Sequence, residues 1–437
     1  MPDAPSSAST PPAGAAKAVD AAAFRAALGG DAVDSAATAE FTVDGLEPAL
    51  VLRPTSITGV AAAVREAQRQ GRAVVLHGGR TAIAVGNPPR RYDVAIGLQG
   101  LAALSAYEPD DFTVTVQAGM RFADFQAALA QQGQFLPLDP PQPERATVGG
   151  VIALGRGGPR RAARGTVRDW LIGCSVILAN GTRINAGGRV VKNVSGYDLP
   201  KLFAGSLGTL GCIVEATFKL RPLPARDETL VLPCADFAAA LDLGREVVQK
   251  VNGLDAVVAL DRDAAGLVNV DGAALLVRAM GMQRAVATLL DAVRSQAGTA
   301  PVPTPSDAAF WRHLSGLEAP DVPTGRTLLR CGVVPSRLQQ LAAAVADTLP
   351  DARRWSYSDG GLLFAESPSV TADAVNTLRE NVAALGGTLI VDAAPPALKA
   401  EIDVWGPSPG GVSIMRRLKE RYDPQATLSP GRFVGGI

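Results

Sequence analysis

Glycines recur at every third position in one stretch of the chain, at Gly205, Gly208 and Gly211. Because glycine has no Cβ, its backbone amides can approach a ligand closely and can adopt a positive φ. Successive amides in such turns form a concave site for an anion. The Gly-x-x-Gly-x-x-Gly spacing differs from that of a dinucleotide-binding turn. Taken alone, the stretch fits a tight structural turn as well as an anion-binding loop.

Three more glycine-rich segments lie upstream of this stretch, and each is next to a predicted strand. They span residues 78–81, 147–150 and 164–169. One such turn is commonly structural, whereas four in a single domain favour an elongated cofactor held along the ends of several strands. The sequence therefore predicts a cofactor groove built from turns at the ends of strands.

Composition excludes several other classes of function. Lys plus Arg equals Asp plus Glu, at 42 each, and this balance disfavours a nucleic-acid-binding protein. The four cysteines are far apart, so they indicate neither a metal site nor a disulfide framework, and a reducing, cytoplasmic compartment is expected. No apolar run approaches the roughly 20 residues of a spanning helix. Residues 1–19, rich in Ala, Pro and Ser, are expected to be a disordered tail rather than a signal peptide.

Hydrophobic periodicity predicts the elements that position the four turns. Strands over 50–54 and 73–77 enclose a helix over 58–70, which makes a small α/β unit. Further strands are expected at 92–98, 112–118 and 213–220. Residues 173–185 read as a hairpin whose Asn180-Gly181 pair favours a type I′ turn.

The prolines between Arg221 and Pro224 mark the expected end of this first domain, residues 20–224. Strands then alternate with helices over 225–400, which predicts an α+β cap domain with an antiparallel sheet covered by helices. The cap strands are expected at 229–232, 256–260, 274–279, 327–333 and 386–392. The cap helices are expected at 237–251, 283–296, 336–347 and 372–385. Residues 401–437, with a helix over 412–424, are expected to return to the first domain.

Five arginines fall within thirteen residues, between Arg156 and Arg168. Such a cluster fits a solvated basic loop, a subunit contact or a contact with an anionic ligand. We interpret its outer members as a solvated basic loop.

The segment from Val191 to Leu202, with the Gly-Ser-Leu-Gly-Thr-Leu-Gly run after it, resembles the flavoproteins of the vanillyl-alcohol oxidase and p-cresol methylhydroxylase (PCMH) type. Within that family it resembles the FAD-binding subunits of glycolate oxidase. The resemblance covers residues 52–224, is loose over 225–400, and resumes at Trp405 and at 429–433. It implies an α+β protein with a PCMH-type FAD-binding domain of two α/β subdomains and a smaller cap.

The resemblance also assigns candidate FAD-binding residues, and it implies that FAD is bound non-covalently. One loop would wrap the pyrophosphate, a second segment would follow the ribityl chain, a third would lie near the isoalloxazine, and the last glycines would meet the adenine end. Residues 429–432 would fold back over the flavin. The assigned residues are His77, Gly78, Gly79, Arg80, Thr81, Ala82, Thr147, Gly149, Gly150, Gly165, Arg168, Asp169, Gly208, Gly211, Ile213 and Arg432.

The function implied is that of the FAD-binding subunit of a glycolate oxidase complex, beside a catalytic FAD subunit and an iron–sulfur subunit. Glycolate would be oxidised to glyoxylate, and the complex would meet a membrane, if at all, only peripherally. Two alternatives stay open: a self-sufficient FAD-dependent glycolate or D-lactate dehydrogenase, and an assembly subunit with a degenerate flavin site.

No catalytic residue is assigned from the sequence. The chain has only two histidines, His77 and His313, and a hydroxy-acid dehydrogenase commonly needs a histidine base. His313 is expected on a helix, at the surface or in the core. Arg278 and Arg330 could clamp a carboxylate or be ion-paired.

Overall fold

A computed structural model describes residues 18–29, 32–188, 197–298, 300–302, 308–319 and 325–437. The chain is α+β, as predicted, and its strands form three large sheets. Most of the predicted tail and residues 191–196 of the segment that carries the family resemblance lie outside the described residues.

The first sheet has four strands, and two of its strand pairs are parallel. The strands are β1 (Val33–Asp34), β2 (Leu50–Leu52), β3 (Val74–His77) and β4 (Val94–Gly97), in the order β1-β2-β4-β3. Two helices accompany them, α1 (Ala21–Leu28) and α2 (Ile57–Arg69). The side chain of Ser56 caps α2 by accepting from the amide of Gly59, and a stripe of Val60, Ala63, Val64 and Ala67 is buried.

The second sheet has five strands, and every pair in it is antiparallel. The predicted hairpin is present in this sheet, but its turn is not type I′, because only Gly181 of the Asn180-Gly181 pair has a positive φ. The strands are β5 (Leu104–Glu108), β6 (Thr113–Gln117), β8 (Leu171–Ile177), β9 (Arg183–Gly187) and β10 (Cys212–Lys219), in the order β5-β6-β10-β8-β9. A two-stranded ribbon adds β7 (Gln134–Phe135) and β11 (Arg221–Pro222).

Five helices connect these strands: α3 (Phe122–Ala130), α4 (Val148–Leu154), α5 (Arg161–Arg164), α6 (Val167–Trp170) and α7 (Pro200–Phe203). Two of these helices, α4 and α6, lie where the sequence predicted glycine turns, at residues 147–150 and 164–169. Gly149 and Gly150 instead lie inside α4, and residues 167–170 form the short helix α6.

The cap contains one seven-stranded antiparallel sheet, as predicted, in the order β12-β14-β13-β16-β17-β15-β18. Its strands are β12 (Arg226–Pro233), β13 (Ala256–Leu260), β14 (Ala274–Gly281), β15 (Thr327–Gly332), β16 (Arg353–Tyr357), β17 (Leu362–Ser367) and β18 (Thr388–Ala393). The helices are α8 (Phe237–Lys250), α9 (Arg262–Leu267), α10 (Gln283–Ala297), α11 (Ala308–Gly316), α12 (Leu338–Thr348), α13 (Ala372–Ala384) and α14 (Pro396–Glu401). Strands β16 and β17 were missed by the sequence analysis.

After the cap, the chain forms α15 (Val412–Tyr422) and then joins the first sheet. The amide of Val74 donates to Thr427 O at 2.7 Å, and the amide of Ser429 donates to Val74 O at 2.7 Å, so residues 427–429 run parallel to β3. Lys419 fixes α15 by donating to Thr209 O and Leu428 O, both at 2.8 Å. The last glycine-rich stretch and the C-terminal segment are therefore bound to each other.

Buried ion pairs hold the cap against the first two sheets. Arg156 lies 2.5 Å from Asp392, and Arg164 lies 2.6 Å from Asp255. Arg160 pairs with Asp139 at 2.6 Å. The prediction of a solvated basic loop is therefore wrong for Arg156, an outer member of the cluster, because its guanidinium group meets a carboxylate that is distant in the sequence. Arg168, at the other end of the cluster, is exposed as predicted, and the pair of Arg160 with Asp139 lies within the first domain.

Candidate functional site

A cleft lies where the loop after β3, the first turns of α4 and the C-terminal segment meet, and its cavity volume is about 100 Å³. It brings together nine of the sixteen predicted site residues: His77, Gly78, Gly79, Arg80, Thr81, Ala82, Thr147, Gly150 and Arg432. It is also lined by residues that the sequence analysis did not assign: Val75, Leu76, Ile83, Val85, Pro140, Pro141, Ala146, Val151, Ala153, Leu154, Arg156, Leu207 and Ser429.

The loop after β3 presents unused backbone donors to the cleft. Within the described chain, the amides of residues 78–82 donate to no backbone or side-chain acceptor, while the neighbouring carbonyls of His77 and Gly78 are hydrogen-bonded. Arg80 has φ +61°, which helps to curve the loop. Five successive free amides on a curved loop form a concave donor surface that fits a phosphate group.

The loop is pressed against residues 145–147, and this contact requires its two glycines. A Cβ on Gly79 would lie 1.7 Å from Arg145 O, and one on Gly78 would lie 2.1 Å from Thr147 Oγ1. The side chain of Thr147 in turn caps α4 by accepting from the amide of Gly150 at 3.3 Å. The two walls of the cleft therefore approach each other only because residues 78 and 79 have no side chain.

Arg432 brings a buried positive charge to the cleft from the C-terminal segment. It is 3% exposed, and its Nη2 donates to Val85 O at 2.6 Å and to Ile83 O. Its Nη1 has no hydrogen-bond partner, and Arg432 forms no ion pair with the described residues. Burial lowers the pKa of this guanidinium. The charge of Asp44 offsets only part of the cost of burying this unpaired cation, so the site fits an anionic ligand.

His77 lines the cleft in a fixed neutral form. Tyr92 donates its only hydroxyl proton to Phe41 O at 2.9 Å, so in the 2.7 Å contact between His77 Nε2 and Tyr92 Oη the imidazole is the donor. His77 Nδ1 therefore carries a lone pair, and it is buried without a partner. Burial, together with the charges of Arg432 and Arg80, lowers the pKa of His77 to about 3.

Replacing His77 with glutamine should reduce the dependence of stability on pH. Between pH 6.5 and about 3 the unfolded chain binds a proton at this imidazole that the folded chain does not bind, so stability falls as the pH falls through this window. One such proton is worth about 1.4 kcal/mol per pH unit. Urea unfolding should show the wild type losing about 2 kcal/mol more than His77→Gln between pH 6.5 and about 5. The exposed His313→Gln variant is the control, and identical pH profiles for wild type and His77→Gln would refute a buried neutral His77.

Seven predicted site residues lie outside the cleft. Gly149 packs behind it, with its amide donating to Ala118 O at 2.7 Å. Gly208 has φ +72° and faces Leu76, while Gly211 faces Val176. The remaining residues are Gly165 and Asp169, which belong to the capping turn of α6, Ile213, which is buried in the core, and Arg168, which lines a second cavity.

Gly208 consequently has a structural reason to be glycine. Its positive φ strains any other residue, and an added Cβ would lie 3.1 Å from Leu76 Cδ1. A substitution at Gly208 should therefore cost folding stability directly, whatever its effect on a cofactor.

At the cap end of the cleft, the charged groups are already paired. Asp392 is fully buried between Arg156 at 2.5 Å and Arg330 at 3.1 Å. Arg278 pairs with Asp227 at 2.5 Å, so both arginines considered as a carboxylate clamp are ion-paired. The side chain of His313 is exposed on α11.

A buried phenol and a buried carboxyl lie next to Arg156 and Arg330. Tyr357 donates its hydroxyl proton to Glu318, and both side chains are buried. Burial raises the pKa of both groups, which keeps the phenol protonated in this arrangement.

Comparison with known proteins identifies an FAD binding domain in the first part of the chain. Residues 48–187 match the FAD binding domain family. The chain is 29% identical to glycolate oxidase subunit GlcD of Bacillus subtilis over 400 residues, which are 82% of this chain and 83% of the relative. It is 43% identical to glycolate oxidase subunit GlcE of Escherichia coli over 119 residues, which are only 27% of this chain and 34% of that protein.

The fold of the chain is similar to that of two solved structures. The chain superposes on p-cresol methylhydroxylase with a TM-score of 0.71 and 16% identity, covering 94% of this chain and 95% of the other. It superposes on alkyldihydroxyacetonephosphate synthase with a TM-score of 0.69 and 17% identity, covering 93% and 84%.

The residues of the cleft fit FAD. The free amides of residues 78–82 and the uncompensated guanidinium of Arg432 suit a pyrophosphate, and the apolar side chains of Val151, Leu154 and Leu207 suit flat rings. The match to the domain family begins just before β2 and includes the loop after β3 and the helix α4, which together form most of the cleft. Residues 48–187 therefore form an FAD binding domain, and the chain as a whole has the fold of p-cresol methylhydroxylase.

Proposed function

We propose that this chain binds FAD non-covalently and is the FAD-binding subunit of a glycolate oxidase complex, which oxidises a 2-hydroxy acid. The observation that carries the proposal is a cleft with unused backbone amides and a buried arginine whose Nη1 has no partner among the described residues, in a chain that aligns with GlcD over 82% of its length. Other relatives are D-2-hydroxyglutarate and D-lactate dehydrogenases, so the substrate class is a short 2-hydroxy acid.

In this proposal each wall of the cleft has a separate task. The amides of residues 78–82 and Nη1 of Arg432 hold the pyrophosphate, and His77 Nδ1 accepts one hydrogen bond from a donor of the cofactor. Helix α4 positions the ribityl chain through Thr147 and Gly150. FAD, when bound, would supply a two-electron carrier to the complex. Pro140, Pro141 and Arg156 line the end of the cleft nearest the cap.

Among the described residues, the histidines and arginines considered for hydroxy-acid oxidation are not free for that role. A base must remove the hydroxyl proton, and a cation must hold the carboxylate. Both histidines are unsuitable, since burial lowers the pKa of His77 to about 3 and His313 is exposed on the cap. Arg278 and Arg330 are neutralised by carboxylates. These features support a subunit that works with a catalytic FAD subunit and an iron–sulfur subunit, in the cytoplasm or at a membrane surface through its partners. None of the described helices is long and apolar enough to cross a bilayer.

One observation favours the alternative of a self-sufficient dehydrogenase. Tyr357 and Glu318 form a buried proton-sharing pair beside Arg330 and Arg156, and Arg156 lines the cleft. If Asp392 released one of these arginines, the cluster would provide a carboxylate clamp next to the carboxyl of Glu318, which would act as the base.

Anaerobic reduction of the purified, FAD-loaded chain separates the two functions. We expect dithionite to bleach the flavin, and glycolate, D-lactate and D-2-hydroxyglutarate to leave it oxidised. Bleaching by a hydroxy acid would contradict the accessory role, and loss of that bleaching in Glu318→Gln would then assign Glu318 as the base. Addition of the partner subunits should restore turnover with glycolate.

A further inference from the structure

A second cavity of about 420 Å³, here called the rear cavity, lies behind the wall of the flavin cleft. Its apolar lining comes from α7, α4, α15 and the C-terminal segment. The apolar side chains are Leu154, Leu202, Leu210, Met415, Leu418 and Phe433. None of the described cap residues contributes to it, so it lies apart from the end of the cleft where a hydroxy acid would meet the flavin.

Two short segments separate the rear cavity from the cleft. Leu154 lines both spaces, and Leu207 lines the cleft while Ser206 lines the rear cavity. The segments are joined by backbone hydrogen bonds, from Gly205 N to Ile152 O at 2.9 Å and from Leu207 N to Ala153 O at 3.0 Å. The wall between the cleft and the rear cavity is therefore one layer of backbone thick, and the two are separate spaces.

The polar groups of the rear cavity are incompletely satisfied. Ser206 is 4% exposed, and its hydroxyl has no hydrogen-bond partner. Arg168 is exposed and forms no ion pair or hydrogen bond with any described residue, which distinguishes it from Arg156, Arg160 and Arg164. Lys201 lines the cavity as well but is paired with Asp198 at 2.6 Å. The cavity thus combines an apolar interior with one uncompensated cation.

We propose that the rear cavity binds an amphipathic organic anion at the same time as FAD occupies the cleft. The apolar body would lie against Leu210, Met415 and Phe433, where burial removes hydrocarbon from water. The anionic group would pair with Arg168, and the Ser206 hydroxyl would donate to a polar atom of the ligand. This combination of an apolar pocket with a few convergent polar groups is typical of small-molecule sites. The inference does not depend on the substrate or partners of the flavin.

The test is fluorescence titration of the FAD-loaded chain with 8-anilino-1-naphthalenesulfonate, an apolar probe with one sulfonate. We expect one probe to bind per chain, with FAD retained. Met415→Trp, which fills the cavity, should abolish binding. Arg168→Gln should weaken it about three- to fivefold, which is typical of one exposed charge pair. The matched controls are Met282→Trp and Arg421→Gln, two exposed positions that do not line the cavity.

Two results would overturn the proposal. One is release of FAD in proportion to probe binding, which would place the probe in the cleft. The other is unchanged binding in Arg168→Gln. Because Arg168 is exposed and makes no contacts that fold the chain, this variant decides the question even if Met415→Trp does not fold.

Discussion

Replacing Asp392 with asparagine should lower the free energy of unfolding by about 3–5 kcal/mol. Asp392 is fully buried on β18 and is the carboxylate between Arg156 and Arg330. The substitution leaves two buried guanidinium groups without a counter-ion, because the neutral asparagine amide cannot balance either charge. Because Arg156 precedes the cap and Arg330 belongs to it, the loss should also loosen the cap from the cleft.

Urea unfolding monitored by circular dichroism measures this effect, with Asp291→Asn as the control. Asp291 forms a similar pair with Arg294 at 2.7 Å, but both side chains are largely exposed, so its loss should cost less than about 1 kcal/mol. Equal, small effects of the two substitutions would show that the Asp392 network does not hold the cap.

Replacing Gly79 with alanine should lower the affinity for FAD by at least about a hundredfold. The added Cβ would meet a backbone carbonyl, Arg145 O, at 1.7 Å, and a backbone atom cannot move aside as a side chain can. The loop of residues 78–82 must then separate from residues 145–147, which carries the free amides away from the cofactor. Overpacking of this kind costs about 1–3 kcal/mol, and displacement of several phosphate donors adds to it.

Isothermal titration of FAD into the apoprotein measures the affinity, and thermal unfolding of the same sample measures the fold. Gly266→Ala is the matched control, since Gly266 is exposed on α9 and has open space where a Cβ would be placed. A Gly79→Ala variant that binds FAD like the wild type would place the pyrophosphate elsewhere. A variant that loses fold and FAD affinity equally would make Gly79 a structural glycine only.

Local sequence patterns predicted those parts of the fold that local physics determines. The α2 helix follows from its apolar stripe and its serine cap, and β13 follows from an unbroken apolar run. Strands β16 and β17 escaped because β16 opens with two arginines, Arg353 and Arg354. Their aliphatic stems are tolerated in a central strand because Glu366 and Asp261 pair with their charges.

The glycine signal was ambiguous in a way that only tertiary structure resolves. Gly79 has no room for a side chain because its loop approaches a backbone carbonyl. Gly149 has none because α4 packs on Ala118, and a Cβ at residue 149 would lie 2.7 Å from the alanine Cβ. In the sequence the two positions look alike, since each is a glycine next to a predicted strand. The arginine cluster was ambiguous for a similar reason, since the partners Asp139, Asp255 and Asp392 come from three distant parts of the chain.

The flavin content of the purified chain tests the central claim most directly. After denaturation with acid, we predict one equivalent of FAD per chain in the supernatant, which would show a cofactor that is bound without a covalent bond. The chain stripped of FAD should recover the same stoichiometry on titration. A colourless chain that takes up no FAD would contradict the assignment of the cleft, and flavin that stays with the precipitated protein would contradict non-covalent binding.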